Sequence, residues 1–159
     1  MNKKKVFISH KGIDDKSFDE LKEIVSTEFD ICDDVINNID NHEQTKEQEE
    51  EIEHLLEIRI NEAETFICLI DENTFEDKWV NSEIEYAHLC GKRIVGIFAH
   101  GTSNDAEIPE NYRKYGGPIL SFNSLDKLGE ILTGANLPNE MPDGNPSPPL
   151  HKFPPRVKC

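Results

Sequence analysis

Two short and almost continuous apolar runs in the middle of the chain enclose an amphipathic segment. Residues 65–70 (TFICLI) and 93–98 (RIVGIF) are rich in β-branched and aromatic side chains, as in strands that are buried on both faces. Between them, Val80, Ile84 and Ala87 recur with the spacing of one helix face. The pattern predicts a strand, a helix and a second strand, and therefore a parallel pair with a right-handed crossover.

The alternation of strands and helices continues on both sides of this unit. The predicted elements are a strand at 5–9, a helix from about Asp15, a short strand at 29–32, a long helix at 44–61, an irregular loop at 99–117, an edge strand at 118–122 and a last helix capped by Asn123 or Ser124. The many glutamates of the long helix, Glu53 and Glu57 among them, are interpreted as a solvated face.

This order of elements predicts an α/β fold. We expect a flavodoxin-like three-layer sandwich, in which a five-stranded and mainly parallel sheet has the order 2-1-3-4-5 and helices cover both faces. The domain is expected to span residues 1–134. Seven of the nine prolines fall after residue 137, so residues 135–159 are predicted to form an extended, polyproline-II-like tail. The tail could be free, could bind a partner, or could lie over the domain with Leu150 and Phe153 as anchors.

Composition and charge narrow the class of protein. The 159 residues carry a formal net charge of −15, which argues against a partner that is a nucleic acid or an anionic membrane. No apolar run approaches the roughly 20 residues of a membrane-spanning helix, and a cytoplasmic location is expected. The four cysteines include no C-x-x-C pair, so no metal site is predicted.

Candidate chemistry lies where the central strands end. In open α/β sheets ligands bind at the carboxyl edge of the strands, at the point where the strand order reverses. Here that point lies between the first and third strands. The residues predicted at its rim are Ser9, His10 and Lys11 after the first strand, and Asp71, Glu72, Trp79 and Glu83 after the third.

Each candidate also has a structural interpretation. Glu83 would be favourable near a positive helix end whether or not it reacts, and Trp79 could simply fill the core. His10 and His100 lie in predicted loops, where surface histidines are common. Position alone therefore leaves a ligand site and a structural cluster both open.

Three ordered motifs resemble the TIR domain. They are VFISHKGIDD before a helix, FICLIDENTFEDKWVNSEIEYA with its W-x-x-x-E spacing, and GKRIVGIF. The chain is similar, more narrowly, to the stand-alone TIR-like proteins of prokaryotic Thoeris antiphage systems, over about residues 4–133. The second TIR box departs from the pattern, because ICDDVINNID has no glycine, and this puts assembly through that loop in doubt.

The resemblance implies that Glu83 is the catalytic glutamate of an enzyme that cleaves NAD. Nicotinamide leaves as a neutral group, and a carboxylate near the ribose would stabilise the positive charge that develops there. NAD would be the substrate, and no cofactor is expected. The remaining residues assigned to substrate binding are Ser9, His10, Lys11, Asp15, Asp71 and Trp79; Lys11, Lys16, His10 and the start of the first helix could receive the pyrophosphate.

The same resemblance implies a hydrolysed, cyclic or conjugated ADP-ribose product as an antiviral signal, with a homo-oligomer and a phage-derived trigger protein as partners. Two rival functions remain open. One is a non-catalytic TIR module that acts by self-association, and the other is a nucleoside deoxyribosyltransferase-like enzyme, which also uses a glutamate at a glycosidic bond. A phosphoacceptor receiver domain with Asp71 as its aspartate is disfavoured, because Ser9 and His10 stand where that chemistry needs acidic metal ligands.

Overall fold

One parallel sheet forms the centre of the molecule. A computed structural model describes residues 4–10, 15–32, 45–135 and 137–147. The strands are β1 (Lys5–Ser9), β2 (Asp30–Cys32), β3 (Thr65–Ile70), β4 (Arg93–Phe98) and β5 (Ile119–Leu120). They follow the order β2-β1-β3-β4-β5, and all neighbouring pairs are parallel. The predicted fold class and strand order are confirmed.

Helices cover both faces of this sheet. They are α1 (Asp15–Ser26), α2 (Lys46–Glu62), α3 (Lys78–Leu89), α4 (Glu110–Tyr115), a 3-10 helix (Phe122–Lys127) and α5 (Leu128–Leu132). Side chains alternate along β1, so Phe7 packs with α2, α3 and α4, whereas Val6 and Ile8 pack with α1 and α5. In the described part of the chain, no helix combines the length and the apolar character that crossing a bilayer requires.

The start of α3 is fixed by a cap. The side chain of Asp77 accepts hydrogen bonds from the backbone N–H groups of Trp79 and Val80. Val80, Ile84 and Ala87 are buried against the sheet, as their spacing predicts. Because the helix begins at this point, Trp79 lies in its first turn and the next turn stands over the carboxyl ends of β1 and β3.

The prediction of an irregular loop at residues 99–117 is wrong in one part, because this segment contains α4. Tyr112 is fully buried there and its hydroxyl donates to the carbonyl oxygens of Gly117 and Pro118, at 3.0 and 2.9 Å. A Cβ on Gly96 of β4 would lie 2.7 Å from the Tyr112 hydroxyl, so the strand needs glycine at this position. A helix of six residues has too few inward positions to show a period, which is why the pattern did not predict it.

The last strand and helix also differ from their predicted bounds. β5 is limited to Ile119–Leu120, and the chain then turns directly into the 3-10 helix. The cap is Ser121, whose Oγ accepts from the Asn123 N–H at 3.1 Å, and not Asn123 or Ser124. The turn begins sooner than predicted because Ser121 already satisfies the first free N–H of the helix.

Residues 137–147 fold back onto β5, so this part of the tail lies over the domain, which is one of the alternatives that the sequence left open. Glu140 N–H donates to the Ile119 carbonyl at 2.9 Å, and the Asn139 side chain accepts from the Ile119 N–H at 3.3 Å. The Ser121 hydroxyl donates to the Pro142 carbonyl at 2.7 Å. These contacts cover the outer edge of β5. Leu150 and Phe153, the predicted anchors, lie outside the described residues, and the division of the chain at residue 134 stays a prediction.

Candidate active site

A buried glutamate and a buried serine meet at the carboxyl edge of the sheet. Ser9 is the last residue of β1, and its side chain points to the same face as Phe7, toward α3. Glu83 lies one turn into α3 and is 2% exposed, whereas Ser9 is fully buried. The Ser9 Oγ donates a hydrogen bond to Glu83 Oε1 at 2.6 Å. Two segments that are 74 residues apart in sequence therefore converge between β1 and β3, as the strand order predicts.

The third group at this point is the thiol of Cys68. Cys68 of β3 is paired in register with Ser9 of β1 and is fully buried. Burial, followed by the negative charges of Glu83 and Asp77, raises the pKa of the Cys68 thiol well above its usual range. The thiol therefore stays protonated near neutral pH, and a protonated thiol is a poor nucleophile.

A groove of about 190 Å³ opens between α2 and α3 beside Glu83. Leu56 and Ile60 of α2 form apolar lining, and the rings of Trp79 and Tyr86 line it from α3. The remaining lining residues are Glu53, Glu57, Ser82, Glu83, Glu85 and Leu89. A hydrogen bond with Cys90, together with burial, raises the pKa of Tyr86 to about 12, so the phenol is neutral. Flat apolar walls and several carboxylates favour a planar cation, and they disfavour a phosphate.

His10 lies on the other face of β1. Its ring stacks on Phe18 of α1 with a centroid separation of 3.5 Å, and it is 8% exposed. Burial, followed by the charge of Lys22, lowers the pKa of His10 to about 4. The imidazole is therefore neutral at physiological pH and brings no positive charge to a pyrophosphate.

Asp71 organises its own loop. Its Oδ1 accepts from the Asn73 N–H at 2.8 Å, and its backbone carbonyl accepts from the Thr74 hydroxyl at 3.0 Å. This is the geometry of an Asx turn, which shapes the connection from β3 to α3. Of the other two residues assigned to substrate binding, Lys11 lies outside the described residues, and Asp15 begins α1 with a side chain that is not described.

The contribution of α2 was missed by sequence reasoning. The apolar stripe of this helix, with Leu56 and Ile60, was detected, but its glutamates were interpreted only as a solvated face. Glu53 is exposed, in line with that interpretation, but Glu53 and Glu57 also lie along the same groove as Glu83. The sequence of α2 could not show that these glutamates line the groove. Which helix α2 packs against depends on how α2 crosses β1. Among residues 4–10, 15–32, 45–135 and 137–147, no cluster of three or more His, Cys, Asp or Glu side chains could hold a metal ion.

A comparison with models of known protein families identifies the family of this chain. Residues 7–104 match the family model described as the Thoeris protein ThsB, TIR-like domain, which is more than half of the chain. The protein belongs to the TIR-like family of Thoeris ThsB proteins. The matched region of this TIR-like protein runs from β1 to the loop after β4, and it contains Ser9, Trp79 and Glu83.

Solved structures share the fold of this TIR-like protein. A 2-deoxyribosyltransferase from Bacillus psychrosaccharolyticus superposes with a TM-score of 0.56 at 11% identity, over 77% of this chain and 90% of its own. The CMP N-glycosidase BcmB of Clostridium botulinum superposes with a TM-score of 0.51 at 19% identity, over 80% of this chain and 99% of its own. None of the curated proteins matches this sequence. At such low identity the two structures show a common α/β fold and nothing beyond it.

Proposed function

We propose that this TIR-like protein cleaves the nicotinamide–ribose bond of NAD, and that the ADP-ribosyl product is a signal in antiphage defence. Glu83 is the catalytic carboxylate in this proposal. The observation that carries it is the position of Glu83, a buried carboxylate held by Ser9 at 2.6 Å where β1 and β3 end. This is the edge at which open α/β sheets bind their ligands.

The chemistry needs a negative charge beside a sugar. The bond between the ribose C1′ and the pyridinium nitrogen breaks, and its electron pair leaves with nicotinamide, which becomes neutral. The ribosyl group develops positive charge, which a preorganised carboxylate stabilises in a site of low dielectric constant. Water, or another nucleophile, then adds at C1′ and loses a proton. Since the leaving group needs no proton, one carboxylate is sufficient.

The aromatic and acidic lining of the groove supports a different position for each end of NAD. The pyridinium ring is a planar cation, and it matches the aromatic and acidic lining beside Trp79 and Tyr86. The pyrophosphate is an anion, which those carboxylates would repel. It fits better at the start of α1, where helix N–H groups and the exposed Lys16 offer positive charge. Glu83 would then face the ribose between these two ends.

Family and fold add separate support. Membership of the Thoeris TIR-like family supports the role in defence. One of the two solved structures is named as a deoxyribosyltransferase and the other as an N-glycosidase, so this fold serves chemistry at N-glycosidic bonds elsewhere. Their low identity leaves the substrate of this chain to experiment.

The direct test measures the release of nicotinamide from NAD by chromatography. We expect turnover by the wild-type chain and its loss in Glu83→Gln, which keeps the size of the side chain and removes its charge. Glu130→Gln is the matched control, because Glu130 is exposed on α5 across the sheet. Parallel reactions with deoxynucleosides test the rival function, that of a nucleoside deoxyribosyltransferase-like enzyme. Turnover of those compounds without turnover of NAD would replace the proposal with a deoxyribosyltransferase-like function.

A second experiment addresses activation by phage. Cells that express the wild-type chain or Glu83→Gln are infected, and their small molecules are compared by mass spectrometry. An ADP-ribosyl compound that is present only with the wild-type chain supports the proposal. If the Glu83→Gln chain protects the cells equally and no such compound forms, the protein acts instead as a self-associating module.

A further inference from the structure

The hydrogen bond between Ser9 and Glu83 has a direction that limits what Ser9 can do. A serine hydroxyl has one proton to donate, and here it donates to Glu83 Oε1 at 2.6 Å. Ser9 is also fully buried, between β3 and α3. A substrate would therefore find no proton of the Ser9 hydroxyl that is free to be donated. The role in substrate binding that the sequence suggested is one that this geometry disfavours.

We infer that Ser9 is the positioning residue of the site, whose hydroxyl fixes the orientation of the Glu83 carboxylate toward the groove. This inference rests on the proposed function, because it assigns Ser9 a part in the same reaction. Ser9 acts through Glu83 and does not touch the substrate.

The need for such a residue follows from the length of the glutamate side chain. Three rotatable bonds separate its carboxylate from the backbone of α3, and a charge that stabilises a transition state must be held within a fraction of an ångström. The backbone of β1 is held here, because Ser9 pairs with Cys68 of β3 and the strand residues before it pair with both β2 and β3. A hydroxyl at the end of a central strand is therefore a fixed reference point. Donation of its proton also favours the ionised carboxylate.

Several other titratable groups surround Glu83, and the experiment must separate their effects. Cys68 faces it from β3, and Asp77 lies at the start of α3. The groups that share the groove with it are Glu53 and Glu57 from α2, and Glu85 and Tyr86 from α3. None of them is altered by a change at Ser9, so a difference between wild type and a Ser9 variant reports the hydroxyl itself.

The decisive variant is Ser9→Ala in the full chain, with Ser121→Ala as the matched control. Ser121 is another fully buried serine at the carboxyl end of a strand, but it lies after β5 and donates to the Pro142 carbonyl. Both variants lose one buried hydroxyl, and Ser121→Ala also loses the cap of the 3-10 helix, so this control loses at least as many hydrogen bonds as Ser9→Ala. Only the first variant removes a proton donor from Glu83.

The first readout does not depend on activity. Carboxyl ¹³C NMR of glutamate-labelled protein, with Glu83→Gln to assign the signal, follows the protonation of Glu83 as the pH falls. We expect Glu83 to take up its proton at a higher pH in Ser9→Ala than in wild type, and at an unchanged pH in Ser121→Ala. Equal titration of Glu83 in all three chains would overturn the inference.

The second readout is how the kinetic effect of Ser9→Ala is divided between kcat and KM. In Ser9→Ala we expect kcat for nicotinamide release to fall about 10- to 100-fold, because a loosened carboxylate stabilises the transition state less well. KM should stay within about twofold, and the acidic limb of the pH–rate profile should move to higher pH. A rise in KM at unchanged kcat would make Ser9 a substrate contact and overturn the inference. If the NMR titration shifts but the wild-type chain never releases nicotinamide, the positioning of Glu83 stands and the proposed function fails.

Discussion

Two buried glutamates of this protein meet a serine at the end of a strand, yet their surroundings differ in charge. Glu83 accepts from the Ser9 hydroxyl at 2.6 Å after β1, and Glu140 accepts from the Ser121 N–H at 3.0 Å after β5. Glu140 also contacts Lys127 Nζ at 3.2 Å. Glu83 instead shares its groove with further carboxylates and two aromatic rings.

This difference separates a structural carboxylate from the one that we propose to be catalytic. Burial alone would raise the pKa of Glu140, but hydrogen bonds from Ser124, Ser121 and Lys127 outweigh it and lower that pKa below the usual value. The charge of Glu140 is thus balanced within the protein, and the residue fastens residues 137–147 to β5. Around Glu83 the groove adds negative charge, which suits a cationic ligand. Burial is common to the two carboxylates, but the described groups near them differ: hydrogen-bond donors and Lys127 at Glu140, and further carboxylates along the groove at Glu83.

The largest expected effect is on catalysis. Glu83→Gln should reduce nicotinamide release from NAD by at least about 100- to 1,000-fold, because the charge that stabilises the ribosyl cation is lost. Glu140→Gln should stay within a few-fold of wild type. The measurement is kcat/KM for both variants, with folding checked by circular dichroism. Comparable losses in the two variants would end the distinction between the two carboxylates.

Glu140 is expected to matter for stability, because it anchors residues 137–147 to β5. Glu140→Ala leaves the Ser121 N–H without its acceptor and removes the contact with Lys127, so we expect the free energy of unfolding to fall by about 2 kcal/mol. The Lys127 side chain is 49% exposed, so the hydrogen bond contributes more than the ion pair. Urea denaturation measures the change. Glu130→Ala, an exposed control on α5, should stay within about 0.5 kcal/mol of wild type.

A pH-dependent change in stability is expected from His10, on the opposite side of β1 from Glu83. Its pKa is about 4 in the folded chain and 6.5 in the unfolded reference, so the unfolded chain binds more protons between these values. The free energy of unfolding should therefore fall as the pH is lowered from 6.5 to 4. In His10→Gln this part of the decline should disappear, and in the exposed His54→Gln control it should persist. Identical slopes in wild type and His10→Gln would show that His10 is not buried as a neutral ring.

The smallest effect is expected from the titration of Glu140. Its lowered pKa means that it adds stability above the pKa of an unfolded glutamate, and that this stability is lost as the pH falls through the folded value. Wild type should therefore lose more stability than Glu140→Gln when the pH is lowered below about 4.5. Urea midpoints at pH 7, 5 and 4 measure the difference. If the gap between the two chains were constant over this range, Glu140 would not be held in its ionised form.

Local patterns predicted most of the sheet and α3. The runs at β3 and β4 and the spacing of Val80, Ile84 and Ala87 are properties of consecutive residues, and they correspond to the observed β3, α3 and β4. The alternation of elements then led to the strand order, because crossovers in parallel sheets have a fixed hand. From that order alone, Ser9 and Glu83 could be assigned to one edge of the sheet.

Local patterns could not show short helices or the path of residues 137–147. α4 has a single fully buried side chain, Tyr112, so its six residues contain no period. Residues 137–147 are rich in proline, and proline favours an extended chain until a partner surface offers better contacts. Here Ile119 and Ser121 of the domain supply that surface through specific hydrogen bonds.

The sequence by itself determined that a glutamate would stand near the switch point of a parallel sheet, because helical spacing and strand order are encoded in neighbouring residues. Only the tertiary structure decided that Ser9 donates to Glu83, that α2 completes the groove, and that Glu140 has a lysine as its partner. The physical reason is that these contacts join residues that are far apart in the chain. Their geometry depends on how whole helices pack on the sheet, and no short stretch of sequence contains that information.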